Sequence, residues 1–318
     1  MQQMTLKNTR ETAIFYNEHS SNCTNCGKDI VEDMTSHLGY LQNNDLAVLC
    51  DNCAYLLKET IIRYRVLAKH YDKPEPDDKL WRYMDLAKFI SLLSRKELFF
   101  ASAVSLNDPF EGAKGVVENK KEWDDFYLKF SRDAIITAPG MDPSVLTEEY
   151  IECNAQRLVK EMNSSGEFWR KRTCISCWYS NSYESEAMWR LYSLNIQNAV
   201  SIQTTANHLY LALDRDPYID IGKVKYIDYK KRFTHPNGSF WYKRKAFEHE
   251  KEVRAVIVDH EGSCAGVYVP VILETLIDAI YISPYAPKWF EEVVKDIMKK
   301  YNIEKPILHS ELNEVPFY

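Results

Sequence analysis

Hydrophobic and polar positions between residues 80 and 318 follow short strand-like and helix-like patterns in an irregular order. Apolar runs at 80–84, 173–179 and 252–258 predict strands, and Leu86, Phe89 and Leu93 recur at helical spacing behind a capping Asp85. Since the strands and helices do not alternate as regular βαβ units, the pattern predicts an α+β fold. The remaining patterns predict strands at 98–101, 199–204, 224–229, 267–273, 277–282 and 307–308, and helices at 118–172, 187–194, 206–213 and from 287 onward.

The first 79 residues carry two C-x2-C pairs, Cys23 with Cys26 and Cys50 with Cys53, separated by 23 residues. Each pair, in a tight turn such as Gly27 favours, supplies two thiolates, and the two pairs together complete a tetrahedral metal shell. Such a closed shell leaves no position for substrate, so the spacing predicts a structural zinc site. Two redox pairs, or cysteines buried by chance, are the alternatives.

A polar segment with two prolines at 72–78 ends the helical pattern that runs over 54–71. It predicts a boundary between a zinc-ribbon domain with a helix, residues 1–75, and an α+β domain, residues 79–318. Residues 1–79 hold 9 Lys and Arg against 12 Asp and Glu, so the ribbon is not basic. A protein-contact or scaffolding role therefore suits it at least as well as nucleic-acid binding.

Composition narrows the class of protein. The 318-residue chain is 45% hydrophobic with a formal net charge of -6, and it has no apolar run of the roughly 20 residues that cross a bilayer. Without a signal segment, we expect a cytoplasmic protein that does not enter a membrane, with thiols or a metal site instead of disulfides. Cys174 and Cys177 form a third C-x2-C pair, and with no fourth partner nearby they are predicted to be free thiols.

The strongest candidate for chemistry is the charged start of the strand at 252–258. Glu250, Glu252 and Arg254 alternate along the chain and share one face, with neighbours about 6–7 Å apart. Two carboxylates at that separation can divide the work, one stabilising charge at a reacting carbon and the other handling a proton. The alternatives are a solvated strand edge with a surface ion pair and, ranked last, glycoside hydrolysis.

A basic stretch precedes these carboxylates. Residues 223–254 contain ten Lys and Arg against four acids, interleaved with Phe233, Trp241 and Tyr242. This composition is compatible with phosphate or nucleic-acid contacts, and equally with a solvated loop. The chain has no P-loop, G-x-G-x-x-G, G-x-S-x-G or H-E-x-x-H motif, which disfavours P-loop enzymes, Rossmann dehydrogenases and protein kinases.

Two other strands carry candidate binding residues. Arg82, beside Tyr83, is placed either to hold a pyrophosphate in its guanidinium fork or to pair with Glu111. Ser176 and Trp178 suit a dinucleotide pocket, and core packing accounts for Trp178 equally well.

Six segments occur in a fixed order along the chain: LWRY at 80–83, LFFAS at 98–102, NDPFE at 107–111, CISCW at 174–178, MWRLY at 188–192 and E-x-E-x-R at 250–254. Together they resemble a bacterial family catalogued as domain of unknown function 2971, over residues 80–285. An arginine on the first strand, a serine strand and an E-x-E sequence entering an apolar strand are also similar to mono-ADP-ribosyltransferases.

The second similarity implies that Arg82 grips the phosphates of NAD, Ser176 shapes the nicotinamide pocket, Glu252 stabilises the ribosyl cation and Glu250 faces the acceptor. It also places Tyr83, Trp178 and Arg254 in the cofactor-binding set. This sequence departs from the usual Ser-Thr-Ser triplet, since it has Ser-Cys-Trp at 176–178, and about 90 residues separate Arg82 from Ser176.

The similarity implies an ADP-ribosyltransferase-like mixed sheet with helices behind the zinc ribbon. The implied activity is NAD-dependent ADP-ribosyl transfer to a protein or nucleic acid, or NAD glycohydrolysis, in the role of a bacterial toxin or anti-phage effector. The alternative is a nucleic-acid-binding or nuclease-like module with no NAD chemistry, using the ribbon and residues 223–254 as contacts.

Overall fold

A computed structural model of the chain describes residues 13–16, 21–30, 35–40, 46–50, 52–53, 64–65, 71–138, 143–214, 216, 218–234, 236–262 and 265–318. The chain forms two compact units. The first comprises Met1–His70 and Tyr127–Leu158, and the second comprises Tyr71–Phe126 and Val159–Tyr318. The domain boundary at 76–78 stays a prediction.

The first unit contains short strands around the cysteine pairs. They are β1 (Ala13–Tyr16), β2 (Ser21–Asn22), β3 (Asp29–Ile30), β4 (Thr35–Tyr40), β5 (Leu46–Leu49) and β6 (Tyr64–Arg65). A hairpin of β2 and β3 carries the first pair, a sheet runs in the order β5–β4–β1–β6, and Asn52 and Cys53 are helical. The helical pattern over 54–71 is interrupted at β6, which pairs with β1 in parallel; 54–63 and 66–70 lie outside the described residues.

The second unit is a mixed sheet with helices, which confirms the predicted α+β class. Its strands are β7 (Lys79–Asp85), β8 (Glu97–Ser102), β9 (Thr173–Ser180), β10 (Ala199–Thr205), β11 (Asp220–Lys223), β12 (Lys225–Ile227), β13 (Tyr242–Arg244), β14 (Glu252–Val258), β15 (Gly266–Pro270), β16 (Ala279–Ile282) and β17 (Ile307–His309). Its complete helices are α1 (Leu86–Arg95), α4 (Glu186–Tyr192), α5 (Ala206–Ala212), α6 (Leu273–Leu276) and α7 (Phe290–Lys300), while α2 (Lys120–Ile136) and α3 (Glu148–Arg172) contribute to both units.

The main sheet runs in the order β11–β14–β9–β7–β10–β16–β17, with β8 beside β9 and β15 beside β8. Strand β9 pairs along its whole length with β14 on one side. On its other side it pairs with β8 at Cys174 and Ile175 and with β7 at Tyr179 and Ser180. The middle of β9, between Ile175 and Tyr179, therefore has no strand partner on that side. This leaves an opening between β7 and β8.

Alternating side chains give the sheet two apolar faces. Leu80 and Met84 of β7 join the main core with α1 and α7, whereas Trp81 and Tyr83 join a smaller cluster with Met188 and Trp189 of α4. Helix α1 buries Phe89, Leu92 and Leu93, as its spacing predicts. Asp85 stands at its N-cap position, but its side chain makes no capping bond and instead accepts from the Asn195 backbone.

Most predicted elements of the second unit agree with the structure, but the short strands β11 and β13 were not predicted. The stretch predicted as one strand at 224–229 forms a strand only at Lys225–Ile227, which is β12, and β11 ends before it at Lys223. The strand predicted from 267 to 273 ends at Pro270, and the one-turn helix α6 follows, too short to show a helical period. In the part of the chain that the structure describes, each helix is too short or too polar to cross a membrane.

Candidate functional site

The start of β14 lies beside the end of β9, and this corner of the sheet holds most of the predicted site residues. Glu252 is opposite Tyr179 in the antiparallel register, and Arg254 is opposite Cys177. A small cavity of about 30 Å³ opens here. It is lined by Trp81, Arg82, Tyr83, Cys177, Trp178, Tyr179, Met188, Tyr192, Glu250 and Glu252.

A larger cavity of about 320 Å³ adjoins it and shares Cys177, Tyr192 and Glu250 with it. The larger cavity falls within the size range of small-molecule sites. Tyr192 and Glu250 therefore stand on the boundary between a narrow pocket and a cleft that admits a ligand. The other residues around the larger cavity are Leu106, Asn107, Asp108, Glu111, Leu191, Lys243, Arg244 and Phe247.

A buried charge cluster forms the base of this corner, made of Glu111, Lys243, Glu250, Glu252 and Arg254. Arg254 donates to both oxygens of Glu252, at 2.8 and 3.2 Å, and to both oxygens of Glu111, at 2.7 Å each. Lys243 Nζ donates to Glu252 at 3.0 Å and to Glu250. All five residues are under 9% exposed, so these are buried ion pairs and not a solvated strand edge.

The cluster holds Glu252 as a carboxylate. Burial alone would raise the pKa of Glu252, but the charges of Arg254 and Lys243 outweigh burial and lower it to about 2. Burial and then the charge of Glu252 raise the pKa of the neighbouring Cys177 thiol. Burial and then the charge of Glu250 raise the pKa of the Tyr192 phenol. At neutral pH this corner thus presents an ionised carboxylate beside a neutral thiol and a neutral phenol.

The backbone around Glu250 and Glu252 explains why both carboxylates reach one cation. Glu250 ends a 3-10 turn at 245–250, and Lys251 then adopts a left-handed conformation with φ of 38°. The Glu252 amide donates to the Tyr226 hydroxyl at 2.8 Å, which fixes the first residue of β14. Both glutamates accept from Lys243, although Glu250 lies in the 3-10 turn and not on the strand whose alternation predicted the shared face.

Arg82 and Ser176 belong mainly to the opposite face of the sheet. The Arg82 guanidinium donates to Ser176 Oγ at 2.5 Å, to the Cys177 carbonyl at 3.3 Å and to the Phe99 carbonyl at 3.3 Å. It therefore fills the opening between β7 and β8, where Cys177 and Phe99 have no strand partner on the side that faces Arg82. Trp178 donates to the same Ser176 hydroxyl at 3.2 Å and belongs to the main core.

The structure thus brings together Arg82, Tyr83, Trp178, Glu250 and Glu252 as residues lining one small cavity. Ser176 is fully buried and reaches this set only through Arg82 and Trp178. Arg254 is 0% exposed and directs its donors to Glu111, Glu252 and the Phe240 carbonyl. This placement does not support a direct contact between Arg254 and a ligand. Instead, the hydrogen bonds of Arg254 position Glu252.

Sequence reasoning missed the roles of Lys243 and Glu111 in the cluster. Glu111 was considered as a partner for Arg82, but it pairs with Arg254. Lys243 stood in the sequence as one of ten basic residues, with nothing to separate it from its exposed neighbours. Lys243 is the middle residue of the short strand β13, between the half-buried Tyr242 and Arg244, and its side chain faces inward. Its position on this strand is the signal that could have identified it.

The basic stretch at 223–254 divides into paired and exposed residues. Lys223 pairs with Asp78 at 2.9 Å, Lys225 with Asp72 at 3.0 Å and Arg244 with Asp108 at 2.7 Å. Lys243 and Arg254 are buried in the cluster. The exposed basic residues are Lys230, Lys231, Arg232, Lys245 and Lys251.

The four N-terminal cysteines meet in the first unit, as their spacing predicts. Their sulfur atoms all lie within 4.8 Å of one another, and Cys26 Sγ is 3.7 Å from Cys50 Sγ. Four thiolates about 2.3 Å from a tetrahedral zinc would be about 3.8 Å apart, so the sulfurs fit a metal of this kind. Gly27 has a φ of 73° and its amide donates to the Cys23 carbonyl at 2.8 Å, which closes the turn.

Hydrogen bonds to sulfur favour a thiolate at Cys23, whereas burial raises the pKa of Cys50 and of Cys53. Burial opposes ionisation of Cys23, but backbone amides, foremost that of Cys50 at 3.4 Å from its Sγ, lower its pKa to about 6. Asn25 Nδ2 donates to Cys53 Sγ at 3.3 Å. These four cysteines could therefore hold a metal ion. Cys174 and Cys177 are free thiols, as predicted.

Solved structures that are similar to this chain include three of one Thermus protein. No family model matches the chain, and no curated protein matches it, so membership of the domain-of-unknown-function family stays a prediction. Thermus sp. 2.9 DarT in complex with ADP-ribosylated ssDNA is 10% identical, with a TM-score of 0.35, over 77% of this chain and 99% of that one.

The same Thermus protein in complex with NAD+ is 10% identical with a TM-score of 0.35, over 76% of this chain and 100% of that one. In complex with carba-NAD+ it is 12% identical with a TM-score of 0.34, over 75% of this chain and 97% of that one. At these TM-scores the likenesses carry no argument about the chemistry of this chain, which has to rest on its own residues.

Proposed function

We propose that the second unit breaks the bond between nicotinamide and ribose in NAD and transfers ADP-ribose to a protein or nucleic acid, or to water. One observation carries this proposal: two glutamates in E-x-E order meet on one cation, Lys243. Glu250 and Lys243 line a cleft of about 320 Å³, and Glu252, in the adjoining small cavity, is held ionised. The resemblance to mono-ADP-ribosyltransferases supplies the substrate.

The chemistry needs few protein groups. As the bond from C1′ of the ribose to the nicotinamide nitrogen breaks, its electron pair leaves with nicotinamide and positive charge develops on the ribose. The Glu252 carboxylate, near the ribose, stabilises that charge. The acceptor then adds to C1′ and loses its proton, and Glu250, on the boundary of the two cavities, is placed to receive it.

Two arginines are candidates for the diphosphate. The resemblance assigns Arg82, which lines the smaller cavity but is bonded to Ser176 and to two carbonyls. Arg244 lines the larger cavity, and only Asp108 pairs with its guanidinium among the contacts described. In our proposal NAD lies across both cavities, with Tyr83, Trp178 and Tyr192 around the nicotinamide end.

In the first unit we propose a structural zinc ion held by Cys23, Cys26, Cys50 and Cys53. Four thiolates leave zinc no open position, so the ion would stabilise the fold of its segment and take no part in the reaction. We also propose a cytoplasmic toxin or anti-phage role, as the resemblance implies. Growth arrest on expression of the wild type, and normal growth with Glu252→Gln, is the expected result.

The test of the activity is release of nicotinamide from NAD, measured by chromatography. Glu252→Gln removes the charge that faces the ribose, and we expect release to fall about 100-fold or more. Glu250→Gln should slow transfer to the acceptor more than cleavage of NAD.

Glu248→Gln is the matched control, because Glu248 is exposed in the same 3-10 turn, and it should release nicotinamide like the wild type. Thermal unfolding of each variant separates loss of activity from loss of fold. Equal background release from the folded wild type and from Glu252→Gln, with or without protein and nucleic-acid acceptors, would overturn the proposal.

A further inference from the structure

A separate cavity of about 330 Å³ lies in the second unit, away from the paired glutamates. Its walls come from the loop after β8, the first turns of α2, the last turns of α3 and Phe233. None of the residues around it lines the two cavities of the candidate site. They are Pro109, Gly112, Ala113, Lys114, Gly115, Val116, Val117, Asn119, Lys120, Trp123, Asn163, Gly166, Glu167, Arg170 and Phe233.

Three cations converge on this cavity from three elements. Lys114 comes from the loop, Lys120 from the start of α2 and Arg170 from α3. Burial, and then the charge of Lys120, lower the pKa of Lys114, so this ammonium group lacks sufficient compensating charge. The Nε atom of Arg170 is buried and has no hydrogen-bond partner among the described residues. The Lys114 ammonium donates to the neutral Met162 carbonyl. An anion in the cavity would supply the opposite charge that this ammonium group lacks.

The acidic groups nearby are already engaged. Asp124 accepts from Lys120 and, at 2.9 Å, from Asn163. Glu167 lies on the wall but is 3.9 Å from Lys171, one turn further along α3. The cavity therefore keeps a net positive balance that these two carboxylates reduce but do not cancel.

The remaining walls are largely apolar. Trp123 is 4% exposed, with the Lys114 ammonium 5.0 Å from its ring centre, and Phe233 closes the other side with Val116 and Val117. Convergent cations beside apolar walls suit a ligand with an anionic end and a flat ring.

Gly166 keeps the cavity open. It lies inside the 25-residue helix α3, where glycine is a poor helix former, and it lines the cavity. A Cβ atom built on it would meet nothing within 4 Å. A side chain at this position can therefore start into open space.

We propose that this cavity binds a nucleoside phosphate, with its phosphate among Lys114, Lys120 and Arg170 and its base against Phe233 and the two valines. The ligand is either a free nucleotide or one residue of a single strand. The exposed residues Lys230, Lys231 and Arg232 precede Phe233 directly and would contact further phosphates of a strand. This site does not depend on NAD cleavage.

Calorimetric titration of the full-length protein tests the proposal, with AMP, ADP, adenosine, inorganic phosphate and a short single-stranded oligonucleotide as probes. We expect AMP or ADP to bind more tightly than adenosine or phosphate alone. Stronger binding of the oligonucleotide than of AMP identifies a strand as the source of the nucleotide, and the reverse identifies a free nucleotide. Both results support the site.

Two variants locate the binding. Gly166→Leu fills the cavity while it improves helix propensity, and Arg170→Gln removes one cation; each should weaken AMP binding about tenfold or more. Lys171→Gln, the adjacent basic residue outside the cavity, is the matched control and should bind like the wild type. The proposal fails if no nucleotide binds, if phosphate or adenosine alone binds as tightly as AMP, or if Gly166→Leu leaves binding unchanged.

The failure of this site and the failure of the proposed activity are separate results. Glu252→Gln should keep AMP binding in this cavity although its nicotinamide release falls about 100-fold or more. Conversely, nicotinamide release that continues in a protein with no AMP binding would remove the nucleotide site and leave the activity standing.

Discussion

Glu252 shows how one residue can be both buried and charged. Its carboxylate is 4% exposed, which costs solvation energy, and two cations from different elements compensate for that cost. The third carboxylate, Glu111, occupies the other side of Arg254, so the guanidinium is shared between two acids. The arrangement orients Glu252 and keeps it ionised without exposing it to water.

This ionisation predicts a loss of stability in acid. The pKa of Glu252 is about 2 in the folded chain, below the ordinary value of 4.5, so the unfolded chain binds more protons between these values. The stabilisation is complete above pH 4.5 and disappears as the pH falls through 2; it amounts to roughly 3 kcal/mol. Denaturant unfolding at successive pH values would measure it.

Glu252→Gln should remove this component from the pH profile, whereas Glu248→Gln should reproduce the wild-type profile. A wild-type free energy of unfolding that stays constant between pH 5 and pH 2.5 would contradict the assignment of Glu252 as a buried carboxylate.

At the scale of the elements, Arg82 fills the opening between β7 and β8. Arg82→Lys keeps a positive charge but loses the planar fork that contacts Ser176, Cys177 and Phe99. We expect the free energy of unfolding to fall by about 1–3 kcal/mol, because buried acceptors lose their donors. Arg95→Lys, at an exposed position in α1, should change little.

The Michaelis constant for NAD separates the two roles considered for Arg82. If Arg244 holds the diphosphate, Arg244→Gln raises that constant more than Arg82→Lys does. A large rise for Arg82→Lys with unchanged stability would instead assign Arg82 to the phosphates, as the resemblance implies.

The elements were largely predictable because their signals are local. Apolar runs mark β7 and β9, which bury both of their faces, and a 3.6-residue period marks α1, which buries one face. The open ladder was not predictable, because it depends on how far β7 and β8 each pair with β9. For the same reason sequence reasoning could place Glu252 and Arg254 together on one strand, but not Glu111, which is 143 residues from Arg254 and reaches it only through the fold.

At the scale of the whole molecule, the even spread of charge in the sequence conceals an uneven distribution in the fold. The net charge of -6 includes a buried cluster with three acids and two bases, and a cavity towards which three bases turn. Half of the basic stretch at 223–254 serves ion pairs inside the second unit. A nucleic-acid contact surface in this stretch would therefore consist of its exposed basic residues and not of the whole stretch.

The cysteine group makes the last prediction, which concerns the metal content of the whole chain. Purified protein should contain one zinc ion per chain by mass spectrometry of the metal, and Cys50→Ser should contain almost none, because three thiolates hold zinc far less tightly than four. Cys153→Ser removes an exposed thiol outside the group and should keep the metal. Removal of zinc by a chelator should make residues 1–70 more sensitive to protease, since metal binding contributes folding free energy to a segment of short strands. Full zinc content in Cys50→Ser, or none in the wild type purified without chelator, would contradict the assignment.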